Sequence, residues 1–357
     1  MAFQSAPGHG SLPNGNFSSV IYSKKTQSAF RKATVVGDIS NSDYFGEISS
    51  QGDTVRIIKE PEISVSAYSR GTTISPQDLD DEDFSLVVNK ANYFAFKIDD
   101  IEEAHSHVNF MQLATDRAAY RLADQFDQDV LGYLSGYKQS TIHASANALN
   151  TTARGDKAVT SAGDNELLAT MQLRKDSFSN ITTSSAGNHS IPVAARLPGA
   201  TALPTATASP AMVVARMKRL MDQQQVDTNG RWLVVDPVFM ELLSDEDSRF
   251  MNADFGESGG LRNGLTIKNL HGFRVYTSSN LPAVGTGAGT AGSANQLANF
   301  GVIVAGHDSA VATAETISKT EIYRDPDSFA DIVRGMQVYG SKILRPESIV
   351  TAMYNAA

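Results

Sequence analysis

Five carboxylates stand close together at Asp78, Asp80, Asp81, Glu82 and Asp83, the kind of oxygen cluster that can hold a divalent cation. A calcium loop needs glycine at its sixth position and glutamate at its twelfth. Counted from Asp78, those positions are Asp83 and Asn89, so the run reads as an acidic surface for water or a basic partner. His105 and His107 follow four acids, but residues two apart on a helix do not share a face, and a helical zinc pair is spaced by four. His307, Asp308 and Ser309 supply the letters of a hydrolytic triad. Adjacent residues cannot bring three side chains to one point, and the sequence has no Gly-x-Ser-x-Gly elbow. The glycines of GTGAGTAG (Gly285 to Gly292) match dinucleotide-loop spacing, but the chemistry needs a helix N-terminus directly after them. Only Ser293 to Asn299 separates them from the next expected strand, and there is no Walker A motif. Arg154, Gly155 and Asp156 form a receptor-binding tripeptide, for which chance occurrence is the simpler account. With no cysteine, disulfides, thiolate metal sites and cysteine nucleophiles are excluded. No catalytic residue, cofactor or metal is expected, and the chain reads as a non-enzyme.

The bulk numbers point the same way. A chain of 357 residues with 41% hydrophobic content can bury a real core in two modest domains or one elaborate one. No stretch approaches the roughly 20 apolar residues of a membrane span, so a soluble chain without membrane contact is expected. The opening MAFQSAPGHGSLPNGNFSS has neither a basic leader nor an apolar core, which argues against a signal peptide and leaves the sequons at Asn16, Asn150, Asn180 and Asn188 without meaning. A net charge of −9 argues against tight, sequence-independent binding of nucleic acid. The one basic knot, Lys24, Lys25, Arg31 and Lys32, is either a solvated helix face or a dock for an acidic neighbour.

If the residues do no chemistry, the elements around them must explain the chain. Residues 1 to 50 read as an arm, with a short amphipathic helix over 20 to 33 and turn residues Gly37, Asn41 and Asp43 beyond it. Asp53 to Arg70 and Phe84 to Asp99 alternate apolar and polar residues and read as the two arms of one long ribbon. Pro61 and the stretch Asn89 to Asn92 are its expected bends. An isolated two-stranded ribbon is marginal in water, so a neighbour is expected to supply its missing core. Met111, Thr115, Ala118, Leu122, Phe126, Val130 and Tyr133 mark a long strut helix over about 105 to 135, roughly 45 Å in length. Residues 138 to 210 are rich in Ala, Ser and Thr, with one helical island at ELLATMQLRKDSF. They read as an exposed, partly mobile insert. A helix after Pro210 is expected to turn Met212, Ala215, Leu220 and Met221 inward. Strands at Trp232 to Val235, HGFRVYTSSNLP and FGVIVAG and a β-rich close complete an α+β second half.

This order of elements resembles the major capsid protein of tailed bacteriophages, the HK97-like fold. DYFGEISSQGDTVRI (Asp43 to Ile57) is similar to that family's approach to its extended loop. AFKIDDIEEAHSHVN with the following helix resembles its loop exit and spine helix. MDQQQVDTNGRWLVVDPVFMELL, GLRNGLTIKNLHGFRVYTSSNLP and VYGSKILRPESIVTAMY resemble its axial domain and the closing strands of its peripheral domain.

The resemblance implies a shell protomer. Its N-terminal arm would span 1–50, its extended β-ribbon loop 51–100, its spine helix 101–137, an insert 138–210, a mainly axial domain 211–315, and a return to the peripheral domain 316–357. Copies would assemble into hexamers and pentamers of an icosahedral head around double-stranded DNA touched only by weak, non-specific contact. The family's scaffolding segment of about a hundred residues does not fit ahead of residue 53, so a separate scaffolding protein, or none, is expected, with a portal and possible decoration proteins as further partners. The interface residues expected are Arg70, Asp78, Asp80, Asp81, Glu82 and Asp83 on the ribbon, meeting Lys24, Lys25, Arg31 or Lys32 of an adjacent copy. A cellular nanocompartment shell of the same fold is the alternative reading, and a decoration protein binding a receptor or carbohydrate is the alternative from another class.

Overall fold

The computed structural model describes residues 34–42, 54–58, 63–71, 73, 76–77, 83–88, 90–99, 110–135, 158–159, 167–173, 177–178, 191–194, 207–244, 269–281, 283–284 and 300–356. In chain order these form helix α1 (Val36–Ile39), strands β1 (Thr54–Ile58), β2 (Asp83–Val87) and β3 (Lys90–Asp99), and helix α2 (Phe110–Ser135). Four short strands follow: β4 (Ala158–Val159), β5 (Leu167–Leu168), β6 (Gln172–Leu173) and β7 (Ile191–Val193). Helix α3 (Pro210–Gln223), β8 (Arg231–Val235), α4 (Pro237–Leu243), β9 (Asn269–Leu270), β10 (Phe273–Thr277) and β11 (Ala283–Val284) come next. The chain closes with β12 (Phe300–His307), β13 (Val311–Arg324), β14 (Ala330–Ile343) and β15 (Val350–Ala356).

A mixed sheet in the order β6-β15-β12-β8-β10-β9 holds the main core, with β7 beside β15 and β11 beside β12. β8 is buried at every position, RWLVV, as a central strand covered on both faces must be. Alternation sends Leu233 and Val235 to one side, where Val213, Val214, Met217 and Met221 of α3 and Phe239 of α4 meet them. Trp232 and Val234 point to the other side, against Val130, Leu131 and Leu134 of α2. Gly306 makes room there, since a Cβ at that position would lie 2.4 Å from the Trp232 ring. Ser209 and Asp236 cap α3 and α4 by accepting from Met212 N and Phe239 N, each with proline at the first turn. Arg231, itself buried, ties the end of α3 to β8 by donating to Asp222 Oδ1 (2.6 Å) and to the Asp227 and Val226 carbonyls.

A second sheet, β13-β14-β3, stands beside the first. Its hairpin β13–β14 is long, 14 residues in each strand. α2 reaches it through Tyr339, whose hydroxyl donates to Asp129 Oδ2 (2.6 Å) and whose ring meets Phe126 edge-on. No helix among the described residues is long and apolar enough to cross a membrane.

Several expectations are corrected. The two arms do not form one continuous ribbon: β1 pairs with β2 over five residues, while β3 pairs with β14 along its whole length. The chain therefore changes sheets between Val87 and Lys90, close to the bend expected at Asn89 to Asn92. Nor does the ribbon lack a core within its own chain, because Leu86 and Val88 are buried with Ala312 and Ala314, and Val55 and Ile57 pack on them. The expected helical island is instead β5, a single 3-10 turn (Ala169–Met171) and β6. The described parts of the supposed exposed insert are core: Met171, Leu173, Phe178, Ile191 and Val193 are all buried, and β6 and β7 run parallel to β15. β6 and β7 are only two and three residues long, too short for strand alternation to show in the sequence. α3 is rotated from expectation, burying Pro210, Val213, Val214, Met217 and Met221 and leaving Met212 exposed.

The end of the supposed arm is also built into the fold. Asp127 of α2 is fully buried, and its Oδ1 accepts from Val35 N (2.8 Å) and Val36 N (2.9 Å) while Oδ2 accepts from Asn280 Nδ2 (2.9 Å). Asn41 continues the docking by exchanging backbone bonds with Val311 and Thr313 of β13. Replacing Asp127 with alanine strands two buried N–H groups at about 1–3 kcal/mol each. Asp127→Ala should lower stability by about 2–5 kcal/mol and open residues 34–42 to limited proteolysis; an unchanged denaturation midpoint and cleavage pattern would refute this anchor. At the same base of the hairpin, a Cβ on Gly340 would lie 2.4 Å from the Val87 carbonyl oxygen and 2.9 Å from Val88 Cα. Gly340→Ala should therefore cost about 1–3 kcal/mol. Gly37→Ala, which meets nothing within 4 Å, should stay within about 0.5 kcal/mol of the parent in the same denaturant titration.

Candidate subunit interface

Of the residues that sequence motifs offered for chemistry, His307, Asp308 and Ser309 are described and are occupied structurally. His307 Nδ1 accepts from Ser309 N (3.2 Å) and lies 2.8 Å from Ser309 Oγ, so its Nε2 carries the proton and donates to the Asn229 carbonyl. Asp308 turns away to Arg274. These three residues staple a turn and do not form a relay. Asp236 and Tyr354 are a buried hydrogen-bonded pair. Burial raises the Asp236 carboxyl above its ordinary range against the opposing pull of the Tyr354 hydroxyl, and burial beside Asp236 raises the Tyr354 phenol. Both are enclosed by core and accessible to no substrate. Among the described residues, no group of three or more His, Cys, Asp or Glu could hold a metal. Lys24, Lys25, Arg31, Lys32, Asp78, Asp80, Asp81 and Glu82 lie outside the described residues, as do His105, His107, the Gly285 to Gly292 loop and the Arg154 tripeptide. Arg70 is exposed beside the turn at Gly71. Asp83 opens β2 opposite Ile58.

What the surface does present is a set of exposed apolar side chains. Residues 63–70 are exposed throughout, with Ile63 69%, Val65 97% and Tyr68 66% accessible. Ser64 is held by Gln77 Oε1, which accepts from its backbone N (3.0 Å) and its hydroxyl (2.8 Å). On β3, Tyr93 is 80% accessible, and Met336 faces it across the ladder. Burying such side chains against a partner releases roughly 1.5–3 kcal/mol each, so leaving them in water is a standing cost to the isolated chain.

The hairpin β13–β14 projects with its own stiffening. Arg334 donates from Nε (3.1 Å) and Nη2 (2.7 Å) to Glu321 Oε2, its guanidinium lies 4.9 Å from the Tyr323 ring centroid, and Lys319 joins Glu321 from the same strand. These partners hold the Glu321 carboxyl down to about 2. At the tip, Asp325 accepts from Lys97 Nζ (2.6 Å), Ser328 Oγ (2.6 Å) and Asp327 N (3.1 Å), which holds its carboxyl well below the usual range. Beside this locked turn Phe329 is 80% accessible. Sequence reasoning missed Tyr93, Phe329 and the Glu321–Arg334 pair. The Asp-Pro-Asp-Ser turn followed by an aromatic residue was a usable signal for Phe329; the ion pair joins residues whose register is set only by the folded hairpin.

A depressed carboxyl stabilises above its ordinary range and loses that contribution as pH falls through its folded value. Acidification from about pH 5 to about pH 2 should therefore loosen the hairpin, and Glu321→Gln should flatten part of that dependence. Stability measured against pH for both chains checks this, and parallel profiles would exclude the assignment.

The sequence matches the phage capsid protein family over residues 82–352, well over half of the chain. No curated protein matches it. Among solved structures, one from Mycobacterium phage Che8 superposes with a TM-score of 0.65 at 22% identity, covering 94% of this chain and 97% of its own. The capsid structure of the cyanophage P-SCSP1u gives 0.63 at 17% identity, with 96% and 94% covered, and the capsid of Ralstonia phage GP4 gives 0.62 at 12% identity, with 100% and 99% covered. The fold is therefore the α+β, HK97-like capsid fold, and an exposed apolar surface without a catalytic cluster among the described residues is what a shell subunit needs. The chain belongs to the phage capsid protein family and is a structural protomer of a phage head.

Proposed function

We propose that this protomer builds an icosahedral head from hexamers and pentamers and encloses double-stranded DNA within it. In this reading, residues 1–50 act as the N-terminal arm, 51–100 as the extended loop over a neighbour, 101–137 as the spine helix, 211–315 mainly as the axial domain and 316–357 as the return to the peripheral domain. The observation that carries it is the exposed segment 63–71, which displays Ile63, Val65 and Tyr68 to solvent while β1 and β2 are fastened to the protomer's own core. A net charge of −9 also suits a container whose wall must release its nucleic acid. A separate scaffolding protein, a portal and decoration proteins are its further partners, with assembly in the host bacterial cytoplasm.

Size-exclusion chromatography with negative-stain microscopy of the expressed chain tests the reading. Capsomers or closed particles are expected; a small oligomer bound to receptor or carbohydrate would replace it with the decoration reading, and particles holding enzyme cargo with the nanocompartment reading. Uniform, correctly sized shells from the chain alone would remove the scaffolding protein from the scheme. The acidic stretch Asp78, Asp80, Asp81, Glu82 and Asp83 is proposed to meet Lys24, Lys25, Arg31 or Lys32 of an adjacent copy. Charge reversal by Asp80→Lys and Asp81→Lys should then impair assembly while leaving the thermal midpoint of the subunit in place. Normal shells from that variant would eliminate the contact.

A further inference from the structure

Asn229 and Gly230 stand in the turn between α3 and β8 and are the only Asn-Gly pair among the described residues. Asn229 is exposed, and its side-chain amide bonds to none of the described residues. The backbone holds the turn instead. Asn229 N donates to Asp227 Oδ1 (3.1 Å), Asp308 N donates to the Gly230 carbonyl (3.1 Å), and Gly230 takes a φ of 76°. The Gly230 N–H itself donates to none of the described residues. The Asn229 carbonyl accepts from His307 Nε2 at 2.8 Å.

These are the parts of a cyclisation. A backbone nitrogen that has lost its proton attacks the side-chain amide carbon of the asparagine before it. The attack needs a nitrogen without a hydrogen-bond partner and a following residue without a Cβ to crowd the approach. Both hold at Gly230, whereas every other described asparagine precedes a residue that carries a Cβ. Loss of the Gly230 proton spreads negative charge through the peptide onto the Asn229 oxygen. The His307 N–H is aimed at that oxygen and therefore favours the charged nucleophile over the neutral peptide.

We propose that Asn229 is a site of spontaneous deamidation and that His307 promotes it. Hydroxide takes the Gly230 proton, the bond from Gly230 N to Asn229 Cγ forms, and the bond from Cγ to Nδ2 breaks. Nδ2 leaves as ammonia with a proton from water, which regenerates the hydroxide. Water then opens the cyclic imide at one carbonyl or the other. One opening gives aspartate. The other gives isoaspartate, which carries the main chain through the side-chain methylene and lengthens the turn. Either product adds a negative charge between α3 and β8, where Arg231 fastens the Val226 and Asp227 carbonyls. The reaction needs no partner, so it proceeds in free subunit and particle alike and records the age of the chain.

The full chain is incubated in mildly alkaline buffer, sampled over time and mapped by peptide mass spectrometry with isoaspartate detection. Asn229 should convert to aspartate and isoaspartate while Asn41, Asn92, Asn280 and Asn355 stay intact. An intact Asn229 in the folded chain overturns the proposal, whether or not the urea-unfolded chain converts there. This measurement needs no variant and decides the site by itself. His307→Phe removes the donor and should slow conversion about threefold to tenfold, the worth of one hydrogen bond at an exposed position. His307→Gln keeps an N–H within reach of the carbonyl and should recover most of the parent rate. An unchanged or faster rate in folded His307→Phe, or a His307→Gln rate no higher than that of His307→Phe, overturns the part given to His307. If His307→Phe does not fold, His307→Gln is compared with the parent directly, and a rate slower by more than about tenfold overturns that part.

Discussion

The carboxylate of Asp127 is the contact on which the arrangement of parts depends. One buried side chain on α2 holds the N–H groups of Val35 and Val36 with one oxygen and Asn280, in the turn after β10, with the other. Three regions far apart in sequence are thereby referred to one point. Buried carboxylates are costly to desolvate, and this one is kept because every donor around it would be stranded without it. Once α1 is fixed, Asn41 reaches β13 and sets the base of the long hairpin. The position of the hairpin in turn sets that of β3, and β3 sets the direction in which the loop leaves.

The division of the molecule follows from this. Much of what is buried holds three exposed parts in place: the segment at 63–71, Tyr93 on β3, and the hairpin tip at Phe329. Among the described residues, several acids and bases are spent on the fold. Asp236 caps a helix, His307 closes a turn, and Arg231 ties a helix end to a strand, so polar groups that would be catalytic elsewhere are consumed in holding shape.

Much of this was legible in the sequence. The long helix was visible because seven positions, all but Thr115 apolar, recur at helical steps, and β8, β10 and β12 were visible because each is a short strand-forming run between turn signals. The HK97-like order of elements followed from them. What was hidden is long-range pairing. Phe84 to Asp99 keeps the same alternation on both sides of Asn89 to Asn92, so the interruption reads as a bend and does not tell that the part before it pairs with β1 and the part after it with β14. Ile191 to Val193 is three residues in a featureless stretch, and only the C-terminal strand reveals that it is core. The inward face of α3 was misread because Met212 and Val213 are both apolar, and the choice between them belongs to the sheet beneath. The charged residues first chosen as interface lie largely outside the described part, while Arg70 is exposed; the apolar ones at Ile63, Val65, Tyr93 and Phe329 are visible as surface only after folding.

The direct succession of β2 and β3 has a mechanical consequence. Because the loop continues into a strand that runs antiparallel to β14 over ten residues, a pull on the loop acts along the strand axis. The ladder is then loaded in shear, with its hydrogen bonds resisting together, whereas a pull across the strands would open them one after another. Gly340, pressed against Val87 and Val88, sits at the point where that load passes into the protomer. A shell made of such units would transmit tension from subunit to subunit through its backbones, as a woven fabric does through its threads.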